Sequence, residues 1–211
     1  MQVESYTVPF RHWIVEGIDW ITADASGSFP DAGWPHWIRY TSQFERKRAC
    51  EDYEQIPIAL RAIIARMEAP WFLQWLATLT GISELRSDPT LRGGGMHVTD
   101  PGGSLDIHLD YQIHETLHLE RRLNAIVFLN REWDPKWGGA IEFWDATARR
   151  KVKEIFPEFG KMVLFECSDE SYHGMPVPLA CPDGECRKTL AVYYLTPPRG
   201  RRRALFVPTR R

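Results

Sequence analysis

The sequence predicts an all-β core with flanking helices: a jelly roll supported by helices from its N-terminal part. Three observations predict it. From residue 93 onward the chain breaks into short β-rich runs, "GGGMHVT", "SLDIHLD", "LNAIVFLN", "AIEFWD", "KVKEIF", "KMVLFE" and "KTLAVYYLT", parted by Gly and Pro. Short strands punctuated by turns argue for a sandwich or barrel. Ahead of them lie two stretches with helical period. The 211 residues, 44% of them hydrophobic, suffice to bury a core without staples and fit one domain better than two. That domain is expected to span 1–211, with helical support over about 1–90 and the jelly-roll core over about 91–208.

In the N-terminal third, "IPIALRAIIARM" carries Leu60, Ile63, Ile64 and Met67 at i, i+3, i+4 and i+7, with Pro57 suited to the first turn. "APWFLQWLATLTG" repeats the pattern with Phe72, Trp75, Leu76 and Leu79, and Gly81 suits its C-terminal cap. Such stripes are scaffold, so no chemistry is assigned to them. No internal repeat or linker divides the chain.

Formal net charge is −2, which does not advertise a nucleic acid as partner. The tail "RGRRRALFVPTRR", with six arginines from Arg199 to Arg211, reads as a solvated terminal strand with a charged flank. Four cysteines at 50, 167, 181 and 186 lack a regular framework, and no leader or long apolar run stands out. A cytoplasmic protein with reduced thiols and no membrane partner is the expectation. "CPDGEC" reads as a surface loop. The nine tryptophans read as core and pocket lining, and Trp133, Trp137 and Trp144 are candidates for the pocket.

Residues 107–118, "IHLDYQIHETLH", hold two incompatible metal motifs. One is an HExxH made of His114, Glu115 and His118, as in a zinc metallohydrolase; it needs a helix so that i and i+4 share a face. The local sequence is poor for a helix, and "LERRL" after His118 does not extend the motif. The other places His108 and Asp110 on one strand face by the two-residue period. His173 in "SYHGMP" offers a third ligand. Two imidazoles and one carboxylate leave positions open for substrate and dioxygen on a non-haem Fe(II). Downstream, Arg187 and Thr189 in "CRKTLAVYYL" again share a face. A guanidinium there takes a carboxylate bidentately, and the hydroxyl adds a hydrogen bond. That suits the far end of 2-oxoglutarate, whose near end chelates iron. The remaining alternative is a catalytically silent jelly-roll binding module.

These residues resemble the Fe(II)/2-oxoglutarate-dependent dioxygenases of the prolyl-4-hydroxylase-like branch. The likeness covers roughly residues 80–196. It rests on "GISELRSDPTLRGGGMHV", "GGSLDIHLD", "RRLNAIVFLNREWDPKWGGAIEFWD", "SYHGMPVP" and "RKTLAVYYLT" in order, and above all on "FLNREWDPKWGG" from Phe128 to Gly139. The resemblance implies a double-stranded β-helix, His108, Asp110 and His173 as catalytic metal ligands, and Arg187 with Thr189 as cosubstrate-binding residues. It also implies hydroxylation of a C–H bond in a prolyl or other amino-acid side chain or in a small molecule, with release of succinate and CO2. Fe(II), 2-oxoglutarate, dioxygen and ascorbate are the small partners expected. Two departures stand out: Phe128 replaces a tyrosine found in some relatives, and "GGGMHVT" offers no Tyr, leaving His97 or Thr99 as substitutes. Retention of Asp110 favours hydroxylation over halogenation. The polar stretch Tyr111–Arg122 is expected to form a mobile loop over the pocket.

Overall fold

The computed structural model describes residues 1–200 and the backbone of Val207 and Pro208. Its elements are β1 (Gln2–Tyr6), β2 (His12–Glu16), the single turn α1 (Asp24–Gly27), β3 (Ile38–Thr41), β4 (Glu45–Cys50), α2 (Ile58–Glu68) and α3 (Pro70–Thr80). There follow β5 (Arg86–Ser87), β6 (Gly95–Thr99), β7 (Ser104–Leu109), β8 (Glu120–Phe128), β9 (Ile141–Trp144), β10 (Lys151–Ile155), β11 (Met162–Glu166), β12 (His173–Met175), β13 (Arg187–Thr196) and β14 (Val207–Pro208). The two expected helices and all seven expected β-rich runs are present.

One hydrogen-bonded ladder runs β1-β2-β11-β8-β13-β6-β4-β7-β12-β9-β10. Its two halves face each other: Asp110, just past β7, is hydrogen-bonded by Asn124 of β8 and Tyr193 of β13. The ladder is therefore rolled, with a half-barrel on each side of an interior. The result is the expected jelly roll in its double-stranded β-helix form. Strand β4 joins the halves, pairing with β6 through Arg48–Cys50 and with β7 through Glu45 and Arg46.

The two faces of the central strands have different work. Leu123, Ala125 and Val127 of β8 and Leu190, Val192 and Tyr194 of β13 join Leu60, Ile63, Ile64, Met67, Phe72 and Leu76 in the main core. Trp75 and Leu79 pack against the same cluster half-buried, and Tyr194 donates its hydroxyl proton to the Met67 carbonyl at 3.1 Å. Pro57 sits as the residue before the first helical turn, and Gly81 ends α3 at φ 72°. The alternate positions Asn124, Ile126, Thr189, Ala191 and Tyr193 line the interior cavity. A second apolar cluster gathers Phe10, Phe128, Ile141, Phe143, Ile155, Val163 and Phe165.

The first 50 residues differ from the expectation of helical support. They supply four strands and one helical turn. β1 is mostly exposed and β2 is buried on both faces, so neither shows the alternation that marks a strand; β2 is made a strand by pairing with β11, and β1 by pairing with β2. "CPDGEC" is also less exposed than expected: the turn at Pro182–Glu185 is present, but Cys181 is buried against Met175 and Leu179. Apart from Arg199, Gly200 and the β14 backbone, the arginine-rich tail lies outside the described residues. No helix among the described residues is long and apolar enough to cross a membrane.

At Gly95, φ is +77°, and a Cβ there would lie 2.2 Å from the Cys50 carbonyl oxygen. β6 can approach β4 this closely only without a side chain. Gly95→Ala is expected to cost more than about 2 kcal/mol of stability, read as a lowered urea midpoint; a midpoint equal to the parent's would contradict the close approach.

Candidate metal centre

β7 and β12 pair antiparallel with His108 directly opposite His173. Opposite residues share a face and lie close together, and the two rings sit 4.4 Å apart between centroids. Asp110 reaches the same point, so that one ligand atom from each of His108, Asp110 and His173 falls within 4.8 Å of the others. All three are buried. They form the cluster of this kind among the described residues.

Their tautomers follow from their partners. The Nδ1 of His108 lies 2.8 Å from the Asp106 carbonyl oxygen, and the Nδ1 of His173 lies 2.9 Å from that of Ser171. A carbonyl only accepts, so each Nδ1 carries the proton and each Nε2 a lone pair. Those lone pairs face the Asp110 carboxylate at 3.7 Å each, too long for a good hydrogen bond. Three acceptors thus converge on one buried point, and a divalent cation is the group that satisfies all of them. Imidazole and carboxylate suit Fe(II), and the carbonyl partners are the outer contacts expected of metal-ligating histidines.

The electrostatics agree. Burial works to raise the Asp110 carboxyl, but His173, His108 and Arg121 outweigh it and hold the group well below the usual carboxylate range. Burial pushes His173 down to about 4, so the neutral, ligating form prevails at neutral pH. Tyr193 donates to Asp110 Oδ1 at 2.8 Å and Asn124 to Oδ2 at 3.2 Å.

The triad opens into a cavity of about 220 Å³ whose lining includes Arg187 and Thr189. Their register is informative: Arg187 lies opposite Thr99, and Thr189 opposite His97 on one side and Phe128 on the other. Phe128 brings no hydroxyl; its ring instead lies 4.9 Å beneath the Arg187 guanidinium, a cation–π contact. His97 and Thr99 both line the cavity. The "FLNREWDPKWGG" run builds the seat of the arginine. Asn130 accepts from the Lys188 amide and donates to the Cys186 carbonyl, while Arg187 Nε donates to the Gly139 carbonyl at 2.7 Å. At Gly139, φ is +81° and a Cβ would meet Trp133 at 2.9 Å.

The HExxH residues do not assemble. Positions 114–118 form turns, with His118 at φ 54°. His114 is buried against Asp88 and Thr90, at 3.2 and 3.0 Å, and Glu115 pairs with Arg92. The segment is accordingly less free than the expected mobile loop: Gln112, His114, Arg121 and Arg122 are buried, and from Glu120 it is already strand. Trp133 and Trp137 pack on Cys181 and its neighbours, and Trp144 donates to Glu142, so none of the three lines the cavity. Sequence reasoning missed Tyr193, Asn124, Arg121 and Lys47, which do. The signal for Tyr193 was present: extending the two-residue period from Arg187 and Thr189 reaches it.

Residues 94–195 match the model of the 2OG-Fe(II) oxygenase superfamily. A curated relative, the prolyl 3-hydroxylase OGFOD1 of Xenopus laevis, is 29% identical over 139 residues, which cover 61% of this chain and 25% of that protein. The chain thus spans about a quarter of that relative's length. Among solved structures, a Pseudomonas putida prolyl-4-hydroxylase is similar with TM-score 0.54 and 16% identity, covering 75% of this chain and 77% of that one. A Trichoplax adhaerens prolyl hydroxylase, solved with a hypoxia inducible factor peptide fragment, gives TM-score 0.55 and 15% identity over 87% of this chain and 83% of that one. A viral collagen prolyl hydroxylase from Paramecium Bursaria Chlorella virus-1, solved with 2OG, gives 0.54 and 13% over 87% and 95%. Rolled ladder, buried triad and the match over residues 94–195 together make this chain similar to the 2OG-Fe(II) oxygenase superfamily, whose working pair is Fe(II) and 2-oxoglutarate, with prolyl hydroxylases among the structures it resembles.

Proposed function

We propose that the chain is an Fe(II)- and 2-oxoglutarate-dependent dioxygenase that hydroxylates an unactivated C–H bond of a prolyl or other amino-acid side chain in a peptide, or of a small molecule. The observation that carries this is the convergence of three metal-ready acceptors beside a cavity with a buried arginine at its wall. When bound, Fe(II) and 2-oxoglutarate supply the oxidising chemistry: dioxygen is consumed, one of its atoms enters the substrate C–H bond, and the other leaves in succinate alongside carbon dioxide.

The protein's own part is to bind, orient and keep dry. His108, Asp110 and His173 hold the metal through Nε2, a carboxylate oxygen and Nε2. Arg187 stays charged at neutral pH even though burial pulls it down to about 10. It takes the far carboxylate of 2-oxoglutarate, with Thr189 adding a hydroxyl and Thr99 close across the ladder. The Phe128 ring beneath the guanidinium limits how far it can turn. Leu105, Ile126, Ile141, Met175 and Ala191 give the cavity its apolar walls, which lower the local dielectric and exclude water from the reacting carbon. Four free thiols fit a reducing compartment, in keeping with a cytosolic enzyme.

Three outcomes are expected. Asp110→Ala should abolish substrate-dependent succinate release while circular dichroism stays that of the parent; retained 2-oxoglutarate decarboxylation would contradict the assignment. Arg187→Gln should raise the KM for 2-oxoglutarate by tenfold or more, about 1.4 kcal/mol, whereas Glu115→Gln, in the rejected zinc motif, should leave turnover at the parent level. The third concerns pH in the metal-free protein. His173 has a folded pKa near 4 against an unfolded value of about 6.5. Its contribution is therefore whole above pH 6.5 and is lost as pH falls towards 4, because the unfolded chain takes up the proton first. His12 and His97, also pushed down by burial, act in the same direction. The urea midpoint should drop between pH 7 and pH 5 by an amount equivalent to about 1–2 kcal/mol for His173; a flat profile would sink this account of the histidines.

A further inference from the structure

We propose that Tyr193 is a positioning residue of the metal centre, acting with Asn124 to fix the orientation of the Asp110 carboxylate towards the metal. The inference rests on the assignment of His108, Asp110 and His173 as the metal site. It starts from register: Tyr193 of β13 and Asn124 of β8 lie directly opposite one another, so both side chains project from one face towards the opposing half of the roll. There they divide one carboxylate between them, Tyr193 Oη donating to Oδ1 at 2.8 Å and Asn124 Nδ2 to Oδ2 at 3.2 Å. Cys167 Sγ approaches Oδ2 from the same side at 3.9 Å.

The consequence is geometric. A free carboxylate next to a divalent ion can rotate about its Cβ–Cγ bond, which would turn its oxygens away from the point that His108 and His173 face. With a donor fixed on each oxygen, that rotation breaks at least one hydrogen bond inside a buried site, where an unmade bond to a charged group costs most. Asp110 is 8% exposed, Tyr193 5% and Asn124 3%, so water is a poor substitute for either donor.

Tyr193 is itself held. Its ring lies 4.0 Å beneath the Arg121 guanidinium, which also donates to the Arg92 carbonyl. Burial and the nearby Asp110 charge raise its phenol well above the ordinary tyrosine value, so it remains a donor throughout the working pH range. The ring is thereby clamped from the cavity side while the hydroxyl reaches the metal side. Sequence spacing places it on the cosubstrate strand, four and six residues beyond Thr189 and Arg187 respectively, so one strand serves both the cosubstrate anchor and the metal ligand.

The test uses the full chain, stripped of metal and titrated anaerobically with Co(II), following both affinity and the visible d–d spectrum. Tyr193→Phe keeps the ring over Arg121 and removes only the donor. It should weaken Co(II) binding about tenfold or more and alter the d–d bands, with circular dichroism unchanged. Asn124→Leu serves as the second variant, and should move the same two readouts if Tyr193→Phe does not fold. Affinity and spectrum both matching the parent's in a folded variant would overturn the proposal. A parent chain that binds no Co(II), or binds it equally well after His108→Ala, would instead overturn the metal-site assignment itself.

Discussion

The pairing of β7 with β12 sets His108 against His173, and the rest of the site depends on that register. In an antiparallel pair a slip of one residue sends every side chain to the other face, so a slip here would leave one imidazole inside the roll and one outside. Two features resist it. A Cβ at Gly174 would lie 2.7 Å from the Asp106 carbonyl oxygen and 2.9 Å from that of Leu105, so the strands meet at this point only because a glycine follows His173. An irregularity between His173 and Met175 then absorbs the mismatch with Leu105. Met175 can thus line the cavity while His173 keeps its place. Asp110 follows two residues after His108, just past the end of β7, and Tyr193 and Asn124 hold its carboxylate.

Burying charge is expensive, and this interior holds an aspartate and two arginines close together. Each is compensated differently. Asp110 receives two hydrogen bonds and the field of Arg121. Arg187 donates to a backbone carbonyl and rests on Phe128, yet among the described residues no carboxylate forms an ion pair with it. That asymmetry agrees with the proposed role of Arg187 as an anion-binding seat, because a resident carboxylate would compete with the ligand. Arg121 makes cation–π contacts with the rings of Tyr193 and Tyr111, at 4.0 and 5.7 Å. Glu120, by contrast, is fully buried and taken up by Arg199. It belongs to the scaffold that carries the chain away from β13, and no part of it reaches the cavity.

What could be seen in the sequence was whatever a local period encodes. The stripes of α2 and α3 and the runs from Gly95 to Thr196 declare themselves by spacing alone. So do the pairs 108/110 and 187/189, because a two-residue period fixes their common face whatever the fold does around them. His173 could be named by type, but its approach to His108 is a long-range register that no local pattern contains. β1 and β2 were hidden for the opposite reason: their sequences alternate poorly, and their strand state comes from β2 adding to the edge of β11 and β1 to that of β2. Asn124 escaped notice because an asparagine within "LNAIVFLN" reads as a strand terminator. Only the Tyr193 register shows that it faces the carboxylate.

The HETLH segment illustrates why a short motif does not make a centre. Two histidines four residues apart share a ligand only if the intervening backbone is helical, and here the backbone reverses instead. Its geometry is set by the first histidine itself: His114 Nδ1 accepts the Leu117 amide at 3.2 Å, and the His118 amide donates to the His114 carbonyl at 2.9 Å. Nε2 is turned the other way, towards Asp88 and Thr90. Both nitrogens are therefore committed to holding the turn, and the turn in turn brings the chain back to begin β8. A histidine can serve as a ligand only if one nitrogen faces a point where other acceptors also face; His108 and His173 meet that condition because each spends its Nδ1 on a carbonyl and leaves Nε2 turned towards Asp110.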